Sequence, residues 1–463
     1  MGVRQFPGRL CLLILGLLQQ LPVMSFRATR GSEESQPRRR PSRSPGEDSS
    51  SLLSSLLRMT WQQSVTIVLT CAFLLARMTI STAGPSFAPF NPYVRPATSM
   101  APDPVTSRDY TPAEIRHAYG IDRLKADGHG QVIGIVSAYV GSGIASDLNT
   151  FNQKYNLPPI NGLPGRPVCT VQNGPHPCFQ RVDLGQSTPT DDNWTTEADT
   201  GTQWTHAIAP GADILLIVSA HAQLDQMIDA ADVAVKSNAT VVAMSWGAPE
   251  YPGETEIDAH FRHPGVSFVA SAGDDGTGVT YPAASPYVIA VGGTSLQIDP
   301  RGNVQSEVAW TNSGGGISSF EPLPVYQQRV GVGETNGHRA VPDVAYSADP
   351  NLAFPIFNAQ AMASDHGWVH VGGTSAGVPQ WAAILALADQ LRERHPLSIT
   401  SLDHAPLYDA ATPARYALDF RDVTSGGNGN CPSCAAHPGY DLVTGLGTPH
   451  ADQLVPYLAT LPA

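Results

Sequence analysis

The chain has 463 residues, 42% hydrophobic and only 14% charged, a composition that supports a large core and excludes a disordered protein. Its net charge of −13 is uneven: residues 1–60 hold nine arginines against four acids, or +5, which leaves −18 on the remainder. That acidic body, with only three lysines (Lys125, Lys154, Lys236), lacks the basic face that nucleic acid requires, and nucleic acid is excluded as a partner.

The N-terminal part reads as two export signals in tandem. Arg9 precedes an apolar run at 10–18, and Arg58-Met59 precedes a second at 65–76, which reaches the small residues Ser81-Thr82-Ala83. Basic-then-apolar order is that of an export signal, and each run is short for a transmembrane helix. Between them, Arg38-Arg39-Arg40-Pro41-Ser42-Arg43 has no core-forming pattern. We therefore expect a basic, disordered extension at 1–58, with the functional chain starting at Met59 and 59–83 acting as a signal or, alternatively, a membrane anchor. On either reading the body lies outside the cytoplasm, secreted or tethered. Residues 84–107 are Pro-rich and read as a linker. The body spans 108–461 and is expected to be a monomer.

Within the body, Thr111 is placed to cap a helix that starts at Pro112. Strand-like apolar runs follow at 131–138, 214–220, 240–245, 266–270 and 287–291. Residues 221–236 carry helical spacing in Leu224, Met227, Ile228, Ala231 and Val235. Continuous apolar strands separated by amphipathic helices predict an α/β fold, a mostly parallel central sheet with helices on both faces. Functional groups in such sheets gather at the carboxyl ends of the strands. Cys169 and Cys178 flank a Pro/Gly/Asn loop, and Cys431-Pro-Ser-Cys434 is a CxxC. In an exported body these four could form two short-loop disulfides; the alternative is free thiols. A zinc site would need a second ligand pair at matching spacing, and none is seen.

Chemistry concentrates in Val369-His370-Val371-Gly372-Gly373-Thr374-Ser375-Ala376-Gly377-Val378-Pro379, which leads into a helix expected at 380–392. A serine after a glycine pair, opening an apolar helix, exposes Oγ beside unpaired N–H groups where an oxyanion would develop. Read alone, Thr374 or Ser375 could simply cap the helix. A serine nucleophile needs a base, yet no His-Gly-Thr-His stands at a helix start. The comparable place holds Thr196-Glu197-Ala198-Asp199-Thr200-Gly201-Thr202-Gln203-Trp204-Thr205-His206-Ala207-Ile208-Ala209-Pro210-Gly211-Ala212.

This string resembles the sedolisin family of serine-carboxyl peptidases, in which a helical Glu replaces the histidine base of subtilisin-like enzymes. The resemblance covers about residues 108–460 and implies a subtilisin-like fold, with Ser375 as nucleophile and Glu197 as base. Ser271-Ala272-Gly273-Asp274-Asp275-Gly276 is similar to the family's S-G-D-x-G, which implies that Asp274 lines the oxyanion hole. A carboxyl can do so only when protonated, so acidic pH enters the mechanism. Ser245-Trp246-Gly247 and Ser313-Gly314-Gly315-Gly316 resemble segments bordering the cleft, whose glycine-rich edges would pair with a peptide backbone.

Two departures accompany the match. Where the family has an orienting Asp, four residues after the base, this chain has Gly201. Asp199 is the nearest acid, but i and i+2 lie on different helix faces; Asp191 or Asp192 reaching in is the other option. In addition, only the linker at 84–107 stands where the family carries a long propeptide.

At the C-terminal end, Phe420-Arg421-Asp422-Val423-Thr424 precedes His437-Pro438-Gly439-Tyr440-Asp441. Separated carboxylates with glycine-rich backbone suit a hard cation. The resemblance implies one Ca²⁺, held by the carboxylates of Asp422 and Asp441 and the backbone oxygens of Val423, His437 and Gly439. The expected activity is endopeptidase cleavage of polypeptides at acidic pH. The alternative is a catalytically impaired, peptide-binding homologue, which Gly201 favours; absence of a G-x-S-x-G elbow disfavours a general esterase.

Overall fold

The computed structural model describes residues 94–96 and 109–462, apart from 186–189, 353, 361–365, 393–395, 402–404 and 431. The expected extension and signal or anchor at 1–83 lie outside the described residues, among which no helix is long and apolar enough to cross a membrane.

The body opens with helix α1 (Pro112–Ala118), capped by Thr111. Thr111 Oγ1 accepts the Glu114 N–H at 3.3 Å while Glu114 accepts the Thr111 N–H at 3.0 Å. Two N–H groups left open by the helix start are thus closed reciprocally. Strand β1 (Val132–Ala138), helix α2 (Ile144–Tyr155), strand β2 (Phe179–Asp183), helix α3 (Asp192–Ile208) and strand β3 (Asp213–Ser219) follow. Then come helix α4 (Leu224–Lys236) and strands β4 (Val241–Met244), β5 (Ser267–Ser271), β6 (Val288–Ile298), β7 (Val304–Ala309) and β8 (Val344–Ser347). Every residue of β1, β3, β4 and β5 is buried, as continuous apolar strands of a covered parallel sheet should be.

These strands make one eight-stranded sheet in the order β7-β6-β5-β4-β1-β3-β2, with β8 also on β6. All pairings are parallel except β6 with β7. Successive strand residues point to opposite faces. A Cβ on Gly134 would lie 2.8 Å from Ala234 of α4, whereas the next residue, Ile135, lies against Gly201 of α3. Helices α3 and α4 therefore cover opposite faces. Strand β9 (Trp368–Val371), paired with Phe354–Phe357 and Val94–Pro96 in a separate small sheet, leads into helix α5 (Thr374–Leu391), which packs on α3.

Three features differ from, or complete, the sequence reading. Strand β6 runs past the expected 291 to Ile298, because its second half gains partners in both β7 and β8. Helix α5 begins at Thr374 rather than at 380. Pro379 lies inside it and cannot donate to the Ser375 carbonyl four residues back; Ser245 Oγ donates there instead, at 3.2 Å. Cys169 and Cys178 form a disulfide, and Cys434 is also disulfide-bonded, while Cys431 lies outside the described residues.

Candidate active site

Ser375 occupies the first turn of α5, fully buried, its Oγ without a hydrogen-bond partner. The turn that delivers it depends on Gly373 at φ 92°, a left-handed conformation natural to glycine. A Cβ there would also run into the Asp274 carboxylate. Asp274 follows the end of β5. Its Oδ1 accepts the Thr374 N–H at 2.7 Å and the Thr374 hydroxyl at 2.8 Å, whereas Oδ2 is buried and unpartnered. Burial pushes its carboxyl up to about 6 against these two donors.

Glu197 lies six residues into α3, buried, with both carboxyl oxygens lacking a hydrogen-bond partner. Burial raises its pKa well above the usual carboxylate range, and the neighbouring Asp274 charge adds to this; the hydroxyls of Ser375 and Ser245 lie close enough to pull it partly back. Neither hydroxyl makes a well-formed hydrogen bond with it, since the Ser245 proton is directed to the Ser375 carbonyl. One buried corner thus gathers an unbonded hydroxyl, an unbonded carboxyl and the free oxygen of a second carboxyl.

Asp199 is buried too, but faces elsewhere. Its Oδ1 accepts from Gln203 at 3.1 Å, its Oδ2 has no partner, and no hydrogen bond joins it to Glu197. Its electrostatic neighbour is Asp147 of α2, also buried, and burial with that like charge raises the Asp199 carboxyl. Asp191 and Asp192 do not reach in: both are exposed, and Asp191 caps α3 by accepting the N–H groups of Asn193 and Trp194. A Cβ on Gly201 would stand 3.0 Å from the Ile135 side chain, a tight contact with the sheet. His206 is buried against the Pro158 carbonyl at 2.8 Å, and burial lowers it to about 4; its role is structural.

The glycine-rich edge is not open as expected. Gly315 exchanges two 2.9 Å hydrogen bonds with Gly278, and the Gly314 N–H donates to Gly273 at 2.7 Å. The segment braces the Asp274 loop instead.

The chain is similar to known proteins over much of its length. Residues 193–412 match the sequence model of the subtilase family. Kumamolisin of Bacillus sp. (strain MN-32) is 30% identical over 379 residues, which cover 73% of this chain and 62% of kumamolisin. The likeness to kumamolisin runs along most of the chain, in keeping with the resemblance its motifs carry. Human tripeptidyl-peptidase 1 is 31% identical over 220 residues, 41% of this chain and 37% of that protein. The chain thus spans less than two thirds of either relative. The fold matches that of Pseudomonas sedolisin, a serine-carboxyl proteinase solved with pseudo-iodotyrostatin, at a TM-score of 0.63 and 24% identity, covering 76% of this chain and 98% of that one.

Two interactions around the site were not readable from the sequence. Asp147 sits on α2, a segment the apolar pattern does not mark, some fifty residues before its neighbour Asp199. The hydroxyl that Ser245 lends to Ser375 becomes readable only once Pro379 is known to lie inside a helix.

The expected cation ligands converge in part. Asp422 Oδ2 accepts the Gly439 N–H at 3.0 Å, and Asp441 Oδ2 accepts the His437 N–H at 3.3 Å, so both carboxylates address the same short loop. Asp441 is buried, its other oxygen taking the N–H groups of Val443 and Thr444. Among the described residues no three His, Cys, Asp or Glu side chains group for a metal. The expected donors would be two carboxylates and backbone oxygens, a set whose chemistry suits a hard cation.

Proposed function

We propose that this protein is an exported endopeptidase that hydrolyses polypeptides at acidic pH. The observation that carries this is the shared burial of Ser375 Oγ, the Glu197 carboxyl and Asp274 Oδ2, all without hydrogen-bond partners in one corner. Unsatisfied buried polar groups are destabilising unless a ligand or a reaction uses them.

In this reading Ser375 Oγ attacks the scissile carbonyl and Glu197 takes its proton. The resulting oxyanion meets a proton on Asp274 Oδ2 and the N–H groups at the start of α5. Glu197 then passes its proton to the leaving amine, and water, activated by the same carboxylate, releases the acyl group from Ser375. Asp274 holds the needed proton below about pH 6. Its protonation also removes the like charge that raises Glu197. Burial keeps Glu197 raised even so, and loss of the ionised base lets activity fall again as pH drops.

The residues also suit one Ca²⁺, held by Asp422, Asp441 and the backbone oxygens of Val423, His437 and Gly439. The ion would supply charge that ties the C-terminal loops together. Chelation should lower the thermal transition of the full chain, and added Ca²⁺ should restore it; an unchanged transition counts against the site.

One observation favours a second reading, a peptide-binding protein that cleaves poorly: at Gly201 no acid stands behind Glu197, and one placed there would press on the Ile135 side chain, 3.0 Å from its Cβ. Casein digestion between about pH 3 and 7 separates the two readings. We expect cleavage by the natural chain and a loss on the order of 10⁴-fold or more in Ser375→Ala. Absence of cleavage at every pH supports the second reading, and equal cleavage by both chains removes Ser375 from its role.

A further inference from the structure

A cavity of about 540 Å³ opens where the chain leaves Asp274. Thr277, Gly278 and Val279 form one wall and Gly315 to Ile317 another, with Glu250 and Asn428 also lining it. No Lys, Arg or His lines it, and Glu250 is its one acidic side chain. The Glu250 carboxylate is held by donors from one side, the Ser318 hydroxyl and the Ser319 N–H at 3.0 Å.

Asn428 adds an independent observation. It is 5% exposed, and its Nδ2 donates to the Ser313 carbonyl at 2.7 Å, which fixes the amide's orientation. Its Oδ1 is left buried and without a partner. A buried acceptor of this kind is destabilising until a donor reaches it. Behind Glu250, Glu254 is buried with one oxygen unpartnered, and burial pushes its carboxyl up to about 8. It is thus neutral at acidic pH.

An anionic oxygen and an unmet acceptor, with no cation among the lining residues, call for a ligand that brings positive charge and N–H donors together. Resting on the peptidase reading above, we propose that this cavity receives a lysine or arginine side chain of the polypeptide substrate, with Glu250 as its counter-charge and Asn428 Oδ1 as a second acceptor. An arginine fork fits best, because it offers several donors in fixed directions.

The test measures binding in the full chain carrying Ser375→Ala, so that it does not depend on turnover. Two labelled peptides are compared, identical except for arginine or its neutral isostere citrulline. The arginine peptide should bind roughly 10- to 100-fold tighter. Adding Glu250→Gln, which can still accept from Ser318 and Ser319, should bring both peptides to the citrulline level. Adding Glu250→Lys should favour a glutamate peptide instead. Equal binding of the two peptides, no binding of either, or an arginine preference that survives Glu250→Gln overturns the assignment. Cleavage of the same peptides by the chain with Ser375 intact is read separately. Failure to cleave, with the Glu250-dependent preference present, overturns the peptidase reading and supports the cavity.

Discussion

Glu197 and Asp199 stand two residues apart on α3 and differ in almost everything but burial. A separation of two residues turns the side chains about 200° around the helix. Glu197 looks towards the start of α5, where it meets the hydroxyls of Ser375 and Ser245 and the carboxyl of Asp274. Asp199 looks towards α2, where it meets the amide of Gln203 and the carboxyl of Asp147. Burial raises both acids, so a shifted proton affinity alone does not distinguish a base from a bystander. What distinguishes them is whether an unbonded nucleophile stands within reach.

The sharpest way to test the Glu197 side is through the carboxyl it shares its corner with. Asp274→Ala should lower kcat by about 10²- to 10³-fold, as removal of an oxyanion donor does. Asp274→Asn keeps a donor that does not titrate, and its rate should no longer fall off above about pH 6, a limb set in the natural chain by Asp274. An unaltered pH–rate profile in Asp274→Asn would detach Asp274 from the oxyanion.

Next in size is Gly201→Asp, which places an acid one turn behind the base. The new Cβ meets Ile135 at 3.0 Å, and overpacking of this kind destabilises by roughly 1–3 kcal/mol. Thermal unfolding should register the loss, with no rise in kcat. A tenfold gain in kcat without loss of stability would mean that the missing acid, rather than the sheet packing, limits this site.

The smallest effect belongs to Asp199→Asn. Asp199 has no hydrogen bond to Glu197, so kcat should change by less than about 3-fold. Stability should respond more clearly, and in one direction. Asp147 is raised to about 6, and Asp199 is raised as well. Groups raised on folding contribute stability that is fully present below the ordinary Asp range and is lost as pH rises through their folded values. The natural chain's melting temperature should therefore fall as pH climbs from about 4 towards 7, and Asp199→Asn should flatten that fall. A parallel decline in both chains would remove Asp199 from the account.

The sheet was legible because its strands are buried on both faces, which leaves runs such as Val132–Ala138 and Asp213–Ser219 nearly unbroken by polar residues. The Thr111 cap was legible because its partners lie within four residues. The start of α5 was misread by six residues, since Pro379 signals a break, and the serine that compensates for it lies 130 residues away at Ser245. The Asp147–Asp199 approach joins two helices across a span that no periodicity reports. Gly201 was visible as a departure; that it packs against Ile135 of the sheet required the fold. Local chemistry could be read from the chain, whereas pairings made through the third dimension could not.

The central claim is that Ser375 becomes acylated with Glu197 as its base. It is tested most directly by mass spectrometry of the chain, acid-quenched while it turns over a peptide p-nitrophenyl ester at about pH 5, below the Asp274 value of about 6. The predicted result is an acyl group on the fragment containing Ser375, absent when Glu197→Gln is treated in the same way. Turnover with no acyl group on Ser375, or the same adduct at the same rate in Glu197→Gln, would contradict it.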